Sequence, residues 1–488
     1  MKLRALAARL RSLSLSDVFK SKEEFDLTEG SIGWPLFYLS LPIVVTNLLQ
    51  TAYNLADTFW LGQYSTEALA AISFAFPMVF LLISLGMGLT VAGSVLVAQH
   101  TGAGEEDDAE YAASQTVTFA VLGSLLLGGI GYFLVDDFLA FLGADPAILP
   151  LAASYMQVVS LGLVFMFGFF VFISLMRGYG DTITPMLVML GTVVLNIVLD
   201  PFLIFGWGPF PELGIEGAAY ATVFSRGLAM VVGMVIMLQG TRGVAVNVAD
   251  LRPDLTYLRK LLRIGVPASV EGTGRALSIN LLLFIVAGFP NAVVAAFGVG
   301  IRVFSVIFLP AIAVGRGVET LSGQNIGAGN EDRAARTNDF AAVVMFAVLS
   351  VAAVVIWFTA SDIVAVFTDD PAVIPIGAAF LQTVAPTFGF TGVMRAYSGG
   401  FRGAGKTLTA AAIAIFTQGV VRLPLAWVGA GQFGTDGLFG AFVISNIVGG
   451  IVAFLWFRRG TWREADLTDG SRGGVSESVV EDDPATDD

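Results

Sequence analysis

Residues 99–107 read QHTGAGEED, and residues 324–332 read QNIGAGNED. Gln99 stands opposite Gln324, Gly102-Ala103-Gly104 opposite Gly327-Ala328-Gly329, and Glu106-Asp107 opposite Glu331-Asp332, each pair 225 residues apart. The same offset runs outward in both directions. Upstream it pairs Pro42 with Pro267 and Ala70-Ala71 with Ala295-Ala296; downstream it pairs Asp145-Pro146 with Asp370-Pro371, Gln157 with Gln382, and Arg177-Gly178 with Arg402-Gly403. Gly180 and Thr182 then match Gly405 and Thr407. Beyond them the offset slips to 223, pairing Pro201 with Pro424 and Gly217-Ala218 with Gly440-Ala441. Chance does not sustain one offset over so many positions, so the chain is a duplication of one structural unit.

Hydropathy tells what the unit is. Of 488 residues, 56% are hydrophobic and 13% charged, and the mean hydropathy is +0.79. A soluble chain of that length needs a larger charged surface. Apolar stretches fall near 36–60, 69–98, 111–135, 148–176, 183–206, 217–239, 261–288, 292–322, 339–360, 373–396, 408–428 and 437–457. Each is near or above the roughly 20 residues that a bilayer core requires of a helix. Backbone groups in lipid must be satisfied within their own segment, so these spans are helices. The expected fold is therefore an all-α integral membrane protein. It has twelve transmembrane helices in two six-helix lobes, related by a parallel repeat around a central cavity. Six is even, so both copies insert the same way up, an arrangement found in secondary transporters. The expected organisation is a cytoplasmic N-terminal segment 1–35, an N-lobe 36–239, a linker 240–260, a C-lobe 261–457 and an acidic, disordered tail 458–488.

The loops fall into two sets. One carries Lys2, Arg4, Arg9, Arg11, Lys20 and Lys22, then Arg177, then Arg242, Arg252, Arg259, Lys260 and Arg263. It continues with Arg333, Arg336, Arg395, Arg402, Lys406, Arg458, Arg459 and Arg463. The other set, near 61–68, 136–147, 207–216, 288–291, 361–372 and 429–436, has no Lys or Arg. Basic loops stay cytoplasmic, which predicts a multi-pass plasma-membrane protein with both termini inside. Residues 1–30 lack an apolar core and do not read as a cleavable signal peptide. The net charge of −13 and the dense acidic run from Glu477 suit a salt-accumulating halophile, or an ordinary acidic tail.

With no cysteine and a lone histidine, His100, neither thiolate chemistry nor a conventional zinc site is expected. The same poverty of nucleophile–base constellations argues against an intramembrane enzyme. No cofactor beyond a coupling ion and no nucleic-acid partner is expected.

Ionisable groups inside spans are costly and call for a purpose. The first half holds two intramembrane carboxylates, Asp57 and Asp200. Asn196 lies one turn before Asp200 on the same face, Gln50 and Tyr53 lie one to two turns below Asp57, and Tyr155 and Thr222 fall early in inward-running helices. These seven residues can meet in the external half of the first lobe. Two carboxylates with amide and hydroxyl oxygens, walled by apolar helices, suit a proton or a sodium ion; helix-end carboxylates at the headgroup level are the alternative. The repeat sharpens the contrast, because the counterpart of Asp57 is Leu282 and the stretch 408–428 has no carboxylate. The second half carries Glu271, Arg275, Arg302 and Arg422, read as a structural charge network or as a second substrate or coupling site. Arg316 and Glu319 read as interfacial. Met78, Met87, Phe165, Met166, Phe167, Phe169 and Phe170 suit either core packing or a pliable cavity for varied lipophilic substrates.

Taken together, several runs resemble the MATE (multidrug and toxic compound extrusion) family, especially its DinF-like archaeal and bacterial branch, over roughly residues 30–457. They are Pro42 with Gln50, Tyr53-Asn54 and Asp57-Thr58; the Gln99…Gly102-Ala103-Gly104 loop and its repeat; Arg177-Gly178-Tyr179-Gly180-Asp181-Thr182; Asn196 to Asp200-Pro201; and Gly217-Ala218-Ala219 to Thr222. The resemblance implies an exporter of lipophilic or cationic compounds driven by inward proton or sodium flow, working as a monomer among membrane lipids. It places the cation site, with sodium a candidate occupant, on Asp57, Asn196, Asp200 and Thr222, with Gln50, Tyr53 and Tyr155 nearby, and a hinge at Pro42. A lipid or lipid-linked saccharide flippase of the same superfamily is the competing reading. A major-facilitator transporter is a further one, but residues 99–110 contain no Arg, unlike that group's second loop.

Overall fold

The computed structural model describes residues 27–141, 145–146, 148–463 and 467. The basic residues Lys2 to Lys22 and the acidic run from Glu477 lie outside the described residues. Among those described, every regular element is helical. The first half contains α1 (Gly33–Tyr64), α2 (Thr66–Ala103), α3 (Glu106–Phe141), α4 (Leu149–Leu161), α5 (Leu163–Tyr179), α6 (Ile183–Phe205) and α7 (Ile215–Gln239). The second contains α8 (Leu255–Val286), α9 (Asn291–Ile307), α10 (Leu309–Gly327), α11 (Glu331–Ala365), α12 (Val373–Val384), α13 (Phe388–Gly403), α14 (Thr407–Ile415) and α15 (Leu423–Arg458).

Nine helical segments among the described residues are long and apolar enough to cross a membrane, and counting each of two bent pairs as one span makes eleven. The pairs are α4 with α5, bent by 53°, and α9 with α10, bent by 41°. The first bend sits at Gly162, where an added Cβ would lie 2.2 Å from Val223; the missing side chain lets α7 pass the bend. Its counterpart 225 residues on, Thr387, closes the 3-10 turn Ala385–Thr387 between α12 and α13, so the duplication kept the break. The 52-residue segment Thr407–Arg458 would extend about 78 Å as one helix, far more than a bilayer core. It doubles back at Gly434, whose φ of 60° and ψ of −133° are not helical. Gly429 and Gly437 then meet backbone to backbone, and Arg422 on one arm bonds Ser445 and Asn446 on the other. The segment is a helical hairpin.

The apolar cores show how the halves interlock. One buried cluster gathers residues of the second half together with Leu36 and Leu39 from the start of α1. Another gathers residues of the first half together with Tyr257, Leu261 and Ile264 from the start of α8. Each half thus lends the first turns of its first helix to the other. The exchange falls at Pro42 in α1 and Pro267 in α8, equivalent positions in the repeat. A proline lacks the N–H for the i→i−4 bond, so a helix bends there at least cost. Close packing before Pro42 depends on Gly317 of α10, where a Cβ would lie 2.7 Å from Ser40 Oγ. Across the other exchange, Gly88 of α2 meets the backbone of Gly265.

The quoted loop repeat forms a two-fold clasp between the halves. Gln99 Nε2 donates to the Gly403 carbonyl at 2.9 Å, and Gln324 Nε2 donates to the equivalent Gly178 carbonyl at 3.0 Å. The glycines are needed for contact: a Cβ on Gly102 would sit 1.9 Å from the Gln324 carbonyl oxygen, and one on Gly327 1.9 Å from that of Gln99. Thr320 Oγ1 adds a bond to the Arg177 carbonyl at 3.1 Å. Two amides buried between helices and fully bonded are far cheaper to hold in place than to separate dry.

Gly102→Val should therefore open this end. The chain has no cysteine, so a single Thr320→Cys reports on it cleanly. Its labelling by a water-soluble maleimide should be slow alone and faster by about tenfold or more with Gly102→Val, as a penalty of ~1.4 kcal/mol on closure would give. Equal labelling rates would show that the clasp does not hold the halves together.

Candidate functional site

Three helices converge on one buried polar cluster in the first half. α1 supplies Gln50, Tyr53 and Asp57 at i, i+3 and i+7, one face of a helix. α6 supplies Asn196 and Asp200 at i, i+4, and α7 supplies Thr222. Tyr155 of α4 is within electrostatic reach of both carboxylates. All except half-buried Gln50 are buried. The seven residues expected to meet do so.

Tyr53 donates to Thr222 Oγ1 at 2.6 Å, and Asn196 Nδ2 donates to Asp200 Oδ1 at 3.2 Å. Asp57 lines the same cavity as Tyr53, Thr222 and Arg226 and is within electrostatic reach of Asp200. Three buried oxygens, Asp57 Oδ1, Asn196 Oδ1 and Asp200 Oδ2, have no protein partner among the described residues. Each would cost about 1–3 kcal/mol if left so. Convergent hard oxygens with vacant lone pairs suit a proton or a small hard cation.

A residue absent from the sequence expectation completes the cluster. Arg226, one turn after Thr222 on α7, is fully buried. Its Nη2 donates to Gln50 Oε1 at 2.7 Å, and its guanidinium stacks 4.7 Å over the Tyr53 ring and 5.4 Å over Phe169. The signal was present: an arginine in the middle of the apolar stretch 217–239. Against two carboxylates this fixed cation leaves one negative charge to be balanced.

The cluster opens on a cavity of about 480 Å³, which Asp57, Tyr155 and Arg226 line at one end and Arg177 and Arg316 at the other, with Phe76, Phe80, Met87, Met166 and Phe170 in its walls. The aromatic and methionine residues singled out above are thus divided between wall and core.

Of the expected second-half group of Glu271, Arg275, Arg302 and Arg422, the first two pair and the last two do not join them. Glu271 accepts from Arg275 Nη2 at 2.9 Å and from Arg402 Nη1 at 3.2 Å. Arg402 Nε reaches Glu319 Oε2 at 2.9 Å, and Arg316 Nη1 reaches the same oxygen at 3.0 Å. Glu319 is buried rather than interfacial. Arg177, Arg395 and Arg402 lie in helices α5 and α13 rather than loops. Arg302 is exposed and takes no part in the network. Arg422 stands apart, bonded to Ser445 at 2.8 Å and Asn446 at 2.9 Å and stacked 4.4 Å over Phe442. Ser445 is the repeat counterpart of Thr222 and Leu282 that of Asp57, so where the first half places carboxylates the second places a fixed guanidinium. Elsewhere, His100 Nδ1 lies 2.7 Å from Glu105, with Asp108 beside the pair.

The MatE family model matches the chain twice, at residues 42–202 and 267–428, and the two matches start 225 residues apart, as the repeat does. The chain is 29% identical over 447 residues to a probable multidrug resistance protein, YpnP, of Bacillus subtilis, covering 91% of this chain and 98% of that one. It is 28% identical over 440 residues to a FAD transporter of Shewanella oneidensis, covering 90% and 97%. A crystal structure of MATE in the bent conformation superposes with a TM-score of 0.84 at 25% identity, covering 90% and 98%. Fold, duplication and both matches agree: the chain is a multi-pass membrane protein of the MATE family, whose members are transporters and not enzymes.

Proposed function

We propose that the protein is a secondary active multidrug exporter of the plasma membrane, exchanging lipophilic small molecules for protons or sodium ions by alternating access. The carrying observation is the buried Asp57–Asn196–Asp200 set with its three unpartnered oxygens, of which Asp57 lines the same apolar cavity that a substrate would enter. The names of relatives, multidrug resistance proteins among them, point the same way. In this reading the hairpin at Gly434 supplies two crossings, so the chain crosses twelve times with both termini cytoplasmic. The Gln99–Gln324 clasp is then the cytoplasmic gate in its closed state, and the cation site faces outward. Loading of the carboxylates from outside removes the repulsion between them, lets α1 repack about Pro42, and drives substrate out. Both ligands must bias one two-state equilibrium for the fluxes to be coupled.

In liposomes, Asp57→Asn and Asp200→Asn should each lose gradient-driven dye efflux by about tenfold or more, within the usual span of coupling energies, and the gradient that drives the wild type names the ion. Full efflux in both variants would end this reading. Charge balance gives a second test. Calorimetric titration of the purified protein should find one proton or sodium ion bound per chain at this site, and Arg226→Gln should raise the number to two. An unchanged count would remove Arg226 from the coupling site.

A further inference from the structure

Between the lobes, next to the cavity's second end, lies a cluster whose charges do not balance. Five guanidinium groups, Arg177, Arg275, Arg316, Arg395 and Arg402, surround two carboxylates, Glu271 and Glu319. The carboxylates take up Arg275, Arg316 and Arg402 in ion pairs. Arg177 and Arg395 form no ion pair among the described residues, and the Nε atoms of Arg177, Arg275 and Arg395 are buried without a partner. Arg395 sits two helical turns inside α13, within the span Val373–Gly403. Arg177 and Arg402 lie in the last turns of α5 and α13, whereas Arg395 holds its charge inside the span without a carboxylate of its own, where an uncompensated charge costs several kcal/mol. The two carboxylates do not account for all five guanidinium groups, although Arg177 also donates to Ser174 Oγ at 3.1 Å and stands at the C-terminal end of α5, which favours a cation. The duplication does not demand the excess either: the counterpart of Arg402 is Arg177, whereas Arg395 stands opposite Phe170.

The site is reachable. Arg177 and Arg316 line the cavity floor, and the Arg275 and Arg316 side chains are 29% and 22% exposed. Guanidinium forks in a low-dielectric pocket select planar or tetrahedral oxyanions. The aromatic and methionine walls above them select an apolar body.

We infer that this arginine cluster anchors the charged group of the exported molecule, and that the preferred substrates are amphiphilic organic anions bearing a carboxylate or phosphate on an aromatic or apolar body. This rests on the export reading above and narrows it, replacing the cationic substrates expected from the sequence. The anion at one end and the coupling cation at the other occupy opposite poles of one cavity, so each can load without displacing the other's ligands.

The test is equilibrium binding by fluorescence anisotropy to the full chain in phosphatidylcholine nanodiscs. Two xanthene dyes of opposite charge serve as probes, fluorescein as the anion and rhodamine 123 as the cation. Fluorescein should bind about tenfold or more tightly than rhodamine 123. Arg395→Gln should weaken fluorescein by about tenfold, the worth of one charged hydrogen bond, and leave rhodamine 123 unchanged; Arg395→Lys, which keeps the charge, should restore part of the loss. Inorganic sulfate should compete with fluorescein in the wild type, a readout that does not depend on any variant folding. Tighter rhodamine binding, indifference to Arg395→Gln, or no competition by sulfate would overturn the proposal. Displacement of fluorescein by added phosphatidylglycerol would overturn it too, by assigning the cluster to a lipid headgroup. Binding of fluorescein with no export under any gradient would instead leave the anion site standing and defeat the export reading.

Discussion

Two carboxylates enclosed in one apolar lobe, with one guanidinium to balance them, form the constraint around which the first half is arranged. Asp57 and Asp200 come from helices far apart in the chain and cannot be buried side by side, both charged, without compensation. Arg226 supplies half of it from α7, held over Tyr53 and bonded to Gln50. The Tyr53–Thr222 bond fixes α1 against α7. What remains is a deficit of one positive charge and three oxygens without partners. In the proposed reading a cation supplies that missing charge, and the set serves as the coupling site.

The second lobe shares the scaffold and lacks that set. Next to the position equivalent to Asp200, which is Leu423, it carries Arg422 with hydroxyl and amide partners, a cation tethered in place. Duplication followed by divergence has thus left buried carboxylates in one lobe and a bonded guanidinium near the matching place in the other. The two are joined where α1 and α8 exchange their first turns and where Gln99 and Gln324 grip each other's lobes. Beyond Pro267 the halves meet again where Ser269 Oγ donates to the Leu85 carbonyl at 3.0 Å and Thr273 Oγ1 lies 3.2 Å from Ser84 Oγ.

Much of this is legible in the chain. A 225-residue offset and apolar spans give the two-lobe helical fold, and intramembrane Asp57 and Asp200 with their flanking amide and hydroxyls give the cation cluster, because helical periodicity alone aligns them. The hairpin at Gly434 is legible as two separate apolar runs. The arginine cluster is not. Arg177, Arg395 and Arg402 fall near predicted span ends, where a positive charge ordinarily marks a cytoplasmic loop, and only the packing of α13 against α10 and the bonds of Arg402 to Glu271 and Glu319 show the cluster they form. Arg302 fails for the opposite reason: it lies mid-span yet faces outward, and a one-dimensional pattern does not say which face of α9 is covered. The exchange of α1 and α8 between lobes is invisible to sequence because both partners are equally apolar.

Linkage between cation and substrate tests the central claim most directly. Substrate affinity should be measured on purified protein across a range of pH and of sodium concentration, with no gradient imposed. If one cation loads Asp57 and Asp200 in opposition to substrate, affinity falls as the effective cation rises through its own saturation and levels off about 5–150-fold weaker, and the other cation has no effect. Affinity independent of both would mean that the buried carboxylates and the substrate do not share an equilibrium, and that Asp57 and Asp200 are not the coupling site.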